Sequence, residues 1–405
     1  MSWSAGAADT DPAAPRGDIC LGILAGEASG DSLGAGLMAA LKRRYPRARF
    51  VGIGGPRMLA QDLDPVAPME RLQVNGLVDP VKRLPDLVRL LRQLVRCYEA
   101  SRPAVFIGVD FNVFNFLLER MLKARGIPTV HYVSPSVYAW RRGRVGRIAR
   151  SADLLLTLFP FEPALYDDAG LEAVFVGHPR ADAIDIDAGG PEGRARARRE
   201  LQIPPDRFCM AVLPGSRLSE VRLMGAPFLD AAGIVARRLP GTLVIVPCLR
   251  PEIRTLLEAL LAARPELDAV LYDGDAELAL TASDGALVKS GTSTLEAMLL
   301  RRPMVVSYKL GPLTYRLIRL LVRTPHIALP NILAGEELVP EVLQDEATPE
   351  ALAEKFLDQL DKARRDPEHL ARFSDLHRQL RMNADERAAD AVSRLLDGRA
   401  AHTEA

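Results

Sequence analysis

From Ile19 to Ala25 the chain runs ICLGILA without a charged side chain, the pattern of a strand buried on both faces. A helical spacing of apolar residues follows from Leu33 to Arg44. A second short run, Arg49 to Ile53, ends at Gly54-Gly55-Pro56. A long amphipathic stretch from about Leu84 to Ala100 predicts a helix, Ala104 to Val109 a buried strand, and the residues up to Lys123 another helix. Thr129 to Val133 reads as a strand and Arg141 to Arg150 as a basic helix. Leu154 to Leu158 and Ala173 to Val176 read as further strands. Apolar strands that alternate with helices predict a parallel sheet covered on both faces.

The alternation then stops. Asp185 to Arg199 (DIDAGGPEGRARARR) has glycines, a proline and charges but no apolar period, and reads as an inter-domain linker leading into a helix. Strands resume at Phe208 to Leu213, Thr242 to Val246, Ala269 to Tyr272, Gly285 to Val288 and Pro303 to Ser307. From Pro349 onward the pattern is helical only. The expected organisation is a disordered tail (1–18), a first domain (19–185), a second domain (200–345) and C-terminal helices (346–405). Two doubly wound α/β domains place ligands at the carboxyl ends of their strands.

Composition narrows the function classes. Lys and Arg (52) balance Asp and Glu (52) in a chain of 405 residues, which argues against a nucleic-acid partner or an acidic tail. Cys20, Cys97, Cys209 and Cys248 form no C-x-x-C pair and no metal-ligand spacing with histidine, so they read as buried thiols of a reducing compartment. The first residues lack an apolar core behind a basic cap, so no signal peptide is expected. No stretch reaches the roughly 18 apolar residues of a membrane span. The expected location is the cytoplasm or a membrane surface.

Candidate chemistry sits where strands end. Gly26-Glu27-Ala28-Ser29-Gly30-Asp31 follows the first strand; its glycines permit a tight turn, and Ser29 or Asp31 suits either a ligand or an N-cap. Asp110 ends a buried strand, where a partly desolvated carboxylate can act as a general base or merely cap the next helix. Gly215-Ser216-Arg217 offers a backbone nest and a guanidinium to a diphosphate, or a plain turn with Arg217 paired to Glu220. Ser290-Gly291-Thr292, with Glu296 further in, opens a helix that attracts anions and offers a carboxylate to ribose hydroxyls, or forms a capping box. The loop with Asn331 and Gly335 is bland by spacing. His131 and His178 suit either the core or a cleft. The arginines between Arg141 and Arg150, Val74 to Val81, and Leu313 to Arg323 suit either a membrane interface or ordinary helix faces.

In order, the segments LAGEASGDSLGAGL, FVGIGGPRM, FIGVD, HYVSPSVYAWR, GHP, VLPGSRLSEV, KSGTSTLEAM, LPNILAGEELVPEVLQ and NADERAADAV resemble the lipid-A-disaccharide synthases, a GT-B glycosyltransferase family. The resemblance spans about Ile19 to Leu396. It implies two Rossmann-like domains facing a cleft, with C-terminal helices packing back on the first. It implies an inverting transfer from UDP-2,3-diacylglucosamine to 2,3-diacylglucosamine 1-phosphate, giving a β(1→6) disaccharide 1-phosphate and UDP. It implies no metal and no cofactor, and work at an anionic membrane surface, the inner face of the Gram-negative inner membrane; a homodimer is compatible with it. Residue by residue, Asp110 matches the general base. Gly215, Ser216 and Arg217 match the phosphate-side loop, and Ser290, Gly291, Thr292 and Glu296 the donor-binding helix start. Asn331 and Gly335 match a loop near the donor. Gly26, Glu27, Ser29, Gly30 and Asp31 fall on the acceptor side.

The chain departs from the family pattern in two places. The family reads D-x-P-D-F-N where this chain has Asp110-Phe111-Asn112-Val113-Phe114-Asn115, so a second aspartate is replaced by Val113. Glu336 stands where the family often has arginine. Three rivals differ in testable ways: a sugar-nucleotide 2-epimerase needs no acceptor, and a nicotinamide oxidoreductase needs the absent G-x-G-x-x-G. A non-catalytic binding protein would release no UDP.

Overall fold

The computed structural model describes residues 19–72, 80–135, 145–248, 250–311 and 325–403. They form two compact units. The first holds the described residues up to 135, those from 145 to Gly177, and those from Asn383 onward; the second is built on His178–Met382.

In the first unit, seven strands pair in the order β3-β2-β1-β4-β5-β6-β7, every pair parallel. They are β1 Cys20–Ala25, β2 Arg49–Ile53, β3 Leu63–Pro65, β4 Val105–Val109, β5 Thr129–Tyr132, β6 Leu154–Thr157 and β7 Glu172–Phe175. Alternate β1 residues serve opposite faces, as strand geometry requires. Leu21, Ile23 and Ala25 pack with helix Ala28–Arg44 and with Ala388 and Val392 of helix Ala384–Thr403, whereas Leu24 packs with Leu90, Leu94 and Tyr98 of helix Pro80–Ser101. Gly22 leaves room for the Tyr98 ring, which a Cβ there would meet at 2.9 Å.

The second unit is a six-stranded parallel sheet in the order β10-β9-β8-β11-β12-β13. These are β8 Cys209–Leu213, β9 Leu243–Pro247, β10 Ala269–Tyr272, β11 Gly285–Lys289, β12 Met304–Tyr308 and β13 Glu341–Leu343. Met210 and Val212 pack on helix Leu218–Arg238, and Phe356 of helix Pro349–Arg365 fills the same core.

Three expectations change. The helix expected from Leu33 begins at Ala28, directly behind the turn after β1. The segment read as a linker is part of the second unit, where two of its arginines are fastened. Buried Arg198 donates to the Ala282 carbonyl (2.9 Å) and to Asp284 (2.7 Å), and Arg194 also reaches Asp284 (2.7 Å). The first domain accordingly ends at Gly177. Of the C-terminal helices, Ala384–Thr403 packs on helix Ala28–Arg44, with Glu386 bound by Arg43 and Arg44. Helices Pro349–Arg365 and Pro367–Leu380 belong to the second unit.

Candidate active site

In the first unit the chemistry gathers at the end of β4. Asp110 and Phe111 both take left-handed backbone angles (φ 49° and 48°). Such angles cost about 1–3 kcal/mol each for non-glycine residues and persist only where the surroundings enforce them. The enforcement is visible. The Asp110 amide donates to the Tyr132 carbonyl (2.8 Å), and Asn115, fully buried in the first turns of helix Asn112–Lys123, donates to the Asp110 carbonyl (2.7 Å) and the Val109 carbonyl (3.3 Å). The Phe111 ring lies on Gly26, where a Cβ would come within 2.5 Å of it. Gly26 therefore makes room for Phe111, which fixes the turn.

The turn leaves the Asp110 carboxylate half-buried at the strand's carboxyl end. Ser29 donates toward its Oδ2 (3.5 Å), and Asn112 donates toward its Oδ1 (3.4 Å). Ser29 and Glu27 are exposed. Gly30 packs against Ala25 and the Val109 carbonyl. Asp31 is a correction: it is 3% exposed, and its carboxylate accepts from the amides of Gly55 (2.8 Å), Arg57 (3.0 Å) and Met58 (3.0 Å). It fastens the start of helix Pro56–Leu59 from inside the fold, which is the capping duty and not an exposed ligand's. Val113, where the family pattern has its second aspartate, is 90% exposed on the first turn of helix Asn112–Lys123.

A second carboxyl lies past the end of β6. Glu162 is buried and accepts from the amides of Leu158 (3.1 Å) and Phe159 (2.9 Å). Burial outweighs those bonds and pushes its carboxyl up to about 8. Ser134 bonds the Tyr166 hydroxyl beside it (2.9 Å).

In the second unit three adjacent strands, β8, β11 and β12, bring their carboxyl ends together. Gly215 turns the chain after β8 with φ 135°, a left-handed angle that favours glycine. The expected backbone nest is already filled: Glu220 Oε2 accepts from the amides of Ser216 (3.1 Å) and Arg217 (3.3 Å). Its other oxygen pairs with Lys289 Nζ (2.9 Å), which also lies 4.6 Å above the centre of the Tyr308 ring. Glu220 thus binds the turn and not the guanidinium, and Arg217 is exposed at the strand ends.

The next loop has a different fastening. The Ser290 hydroxyl donates to the Ile327 carbonyl (3.1 Å), and helix Thr292–Leu299 begins at once. Glu296 forms no capping box. Its Oε1 accepts from Arg180 Nη2 (2.8 Å), and the same nitrogen reaches Glu277 (2.9 Å). Burial raises the Glu296 carboxyl, and the Arg180 charge pulls it back.

Asn331 is a correction too. Asn331 is fully buried and spends its whole amide on the Val339 carbonyl (2.8 Å), Glu341 (2.8 Å) and the amides of Leu338 and Val339 (2.9 Å each). Gly335 (φ 71°) ends helix Leu329–Ala334 in the left-handed C-cap glycine favours. Both shape the loop, and the Asn331 side chain is spent inside it. Glu336 pairs with Arg372 (3.2 Å).

Both histidines are buried. His131 bonds Glu119 (2.6 Å), and His178 is held down at about 4 by burial and then by the Arg180 charge, so it is neutral at pH 7. Segments 74–79 and 313–323 and arginines 141, 142 and 144 lie outside the described residues. Among the described residues no helix is long and apolar enough to cross a membrane.

Sequence reasoning passed over Arg180, Glu277, Lys289, Asn115 and Glu119. Two of these carried a signal. Asn115 and Glu119 occupy the apolar stripe of their helix with Phe114, Leu118 and Leu122, where a polar residue needs a buried partner.

Comparison with known proteins adds three findings. The Lipid-A-disaccharide synthetase family profile matches residues 21–392. The lipid-A-disaccharide synthase of Burkholderia thailandensis is 48% identical over 94% of this chain and 97% of its own length, and that of Pseudomonas fluorescens is 48% identical over 94% and 98%. Among solved structures, Acinetobacter baumannii MurG superposes with a TM-score of 0.55 at 15% identity (93% of this chain, 99% of that one). A putative UDP-N-acetylglucosamine 2-epimerase from Listeria monocytogenes gives 0.61 at 15% (96% and 97%). At such identities the structures speak for the fold alone.

Proposed function

This chain belongs to the lipid-A-disaccharide synthetase family, and on that premise we propose that it joins UDP-2,3-diacylglucosamine to 2,3-diacylglucosamine 1-phosphate with inversion, giving the β(1→6) disaccharide 1-phosphate and UDP. Membership makes it a glycosyltransferase of lipid A biosynthesis that uses a nucleotide sugar; the acylated substrates and the residue roles are our reading.

The observation that carries the reading is the Asp110 turn. Strain held in place at a strand's carboxyl end is a mark of a working residue. Asp110 Oδ2 takes the proton of the acceptor's 6-hydroxyl as that oxygen bonds the donor's anomeric carbon. The bond from that carbon to the diphosphate breaks, and its electron pair leaves with UDP. The Arg217 guanidinium and the first turn of helix Thr292–Leu299 stabilise the charge that grows on the phosphates. Glu296 accepts from the ribose hydroxyls through the oxygen that Arg180 does not hold.

Acyl chains tie the reaction to a lipid surface, since each exposed CH₂ costs about 0.8 kcal/mol. We place the work at the anionic inner face of the Gram-negative inner membrane, with segments 74–81 and 313–322 as docking elements. Vesicle co-sedimentation that ignores changes in both segments would remove them from this role. A second copy of the chain is the remaining expected partner, and sedimentation velocity reads it directly.

UDP release from the acylated donor in detergent micelles, with and without the acceptor phosphate, tests the reaction. Acceptor-dependent release is expected, falling about 10²–10⁴-fold in Asp110→Ala. Normal turnover in that variant would remove Asp110 as the base. Release without acceptor would favour hydrolysis or epimerisation.

A further inference from the structure

Behind Asp110 runs a line of polar side chains that leads into the core. Asn112 Nδ2 faces Asp110 Oδ1 at 3.4 Å, Asn112 Oδ1 faces His131 Nε2 at 3.2 Å, and His131 Nδ1 meets Glu119 Oε1 at 2.6 Å. His131 and Glu119 are both 0% exposed, and the Phe116 ring stacks on the imidazole with centres 4.1 Å apart. A Cβ at Gly108 would come within 2.2 Å of Glu119 Oε1, so the glycine is what admits this carboxyl to the sheet.

We propose that Asn112, His131 and Glu119 form a directed hydrogen-bond chain that positions Asp110, and that all three are positioning residues of the transfer reaction. The proposal rests on the reading of Asp110 as the base. The direction follows from the atoms. An amide oxygen facing Nε2 requires that nitrogen to carry hydrogen. Nδ1 and Glu119 Oε1 then share one proton, and the pair is neutral overall whichever atom holds it. From the imidazole outward both donors point toward Asp110: His131 Nε2–H to Asn112 Oδ1, and Asn112 Nδ2–H to the carboxylate, while Glu119 fixes the other ring nitrogen. Asp110 Oδ1 is held, and Oδ2, toward which only the Ser29 hydroxyl is directed among the described contacts, is left to receive a proton.

A purely structural reading accounts for less. Burying a carboxyl beside an imidazole stabilises a fold no better than apolar residues of the same volume, and Glu119 Oε2 has no hydrogen-bond partner among the described residues. Burial raises the Glu119 carboxyl and the His131 contact lowers it, in keeping with a shared proton. The surroundings add little other charge. On the same helix Arg120 is exposed and Lys123 pairs with Asp153. β4 contributes only Asp110 at its end. β6 places Leu155 beside His131, and β1 offers Asn115 the Leu24 carbonyl.

The test is the pH profile of kcat/KM for UDP release by the full-length chain in micelles, for Asn112→Leu, His131→Gln and the double variant. Each single change is expected to lower kcat about tenfold to a hundredfold through misplacement of the base. Each should also move the acid limb to higher pH, because the carboxylate loses a donor that favours its charged form. Donor KM should hold, and the double variant should match the worse single one, as residues acting through one chain do. Glu119→Gln keeps a donor toward Nδ1 and should keep the wild-type acid limb; Glu119→Leu should shift it. If His131→Gln fails to fold, Asn112→Leu at its half-exposed position carries the test. Unshifted acid limbs alongside an inactive Asp110→Ala would overturn the chain and leave the base standing. Turnover in Asp110→Ala would instead bring down the base reading.

Discussion

The two units solve different problems with the same architecture. Each ends its central parallel strands in a short turn that precedes a helix. In the first unit the turn is made of non-glycine residues under strain, held by a buried asparagine, with titratable groups buried around it. In the second the turn is a relaxed glycine, and the polar groups are cations and carboxylates in ion pairs: Lys289 with Glu220, and Arg180 with Glu296 and Glu277. The difference matches the tasks proposed for them. A base works only in a narrow geometry, so its backbone is over-determined. A phosphate responds to charge over a wider range of positions, so an exposed guanidinium beside a helix start suffices.

The sharpest break should come from Arg217→Ala. If the second unit acts by charge alone, turnover falls about 10²–10³-fold while thermal stability stays near wild type, because the residue is exposed. Turnover within twofold would move the phosphate-side charge elsewhere. Next comes Asn115→Ala, aimed at the over-determined backbone. It strips the Asp110 carbonyl of its donor and is expected to cost about 1–3 kcal/mol in urea unfolding, with loss of turnover. Full activity would show that the strained turn stands without it.

The pH dependence of the two units should run in opposite directions. The Glu162 carboxyl is raised to about 8, above its unfolded value, so it stays protonated in the fold while the unfolded chain ionises. Its contribution is fully present below the ordinary carboxylate range and is lost as pH rises toward 8. His178 is depressed to about 4. Its contribution is present above the ordinary imidazole value and is lost as pH falls toward 4. Native-state hydrogen exchange reads the two units separately; each slope should approach about 1.4 kcal/mol per pH unit at most, and Glu162→Gln should flatten only the first. Equal slopes before and after that change would remove Glu162 as the cause. The smallest effect is expected from Arg180→Met, a rise of a few-fold in donor KM with kcat unchanged, on the order of 1 kcal/mol or less for a half-exposed pair. A fall in kcat instead would draw Arg180 into the chemistry.

Much of the fold was legible. The apolar runs at Ile19 to Ala25 and Phe208 to Leu213 became β1 and β8 almost residue for residue, because a strand buried on both faces leaves no choice but continuous hydrophobicity. The edge strands β3 and β13 were invisible, since three residues carry no period. The arginine-rich stretch 185–199 looked like a linker because hydropathy cannot see Asp284, to which two of its arginines are tied. Within the candidate site the positions of Asp110, Ser29, Arg217 and Glu296 were legible from strand ends. The duties of Asp31, Asn331 and Glu220 were not.

What the sequence determined by itself is the frame: two parallel α/β units, turns at their strand ends, and the family to which the whole belongs. Period and glycine placement are local properties, and burial rewards them wherever the chain folds. Which polar side chain is a fastening and which stays free was decided only by tertiary structure. Asp31 finds the amides of Gly55 and Met58, Glu119 finds His131, and Arg180 finds Glu296, partners between 12 and 116 residues away. A carboxylate is available to a substrate only when packing has left its lone pairs unclaimed, and that depends on groups the neighbouring sequence does not contain.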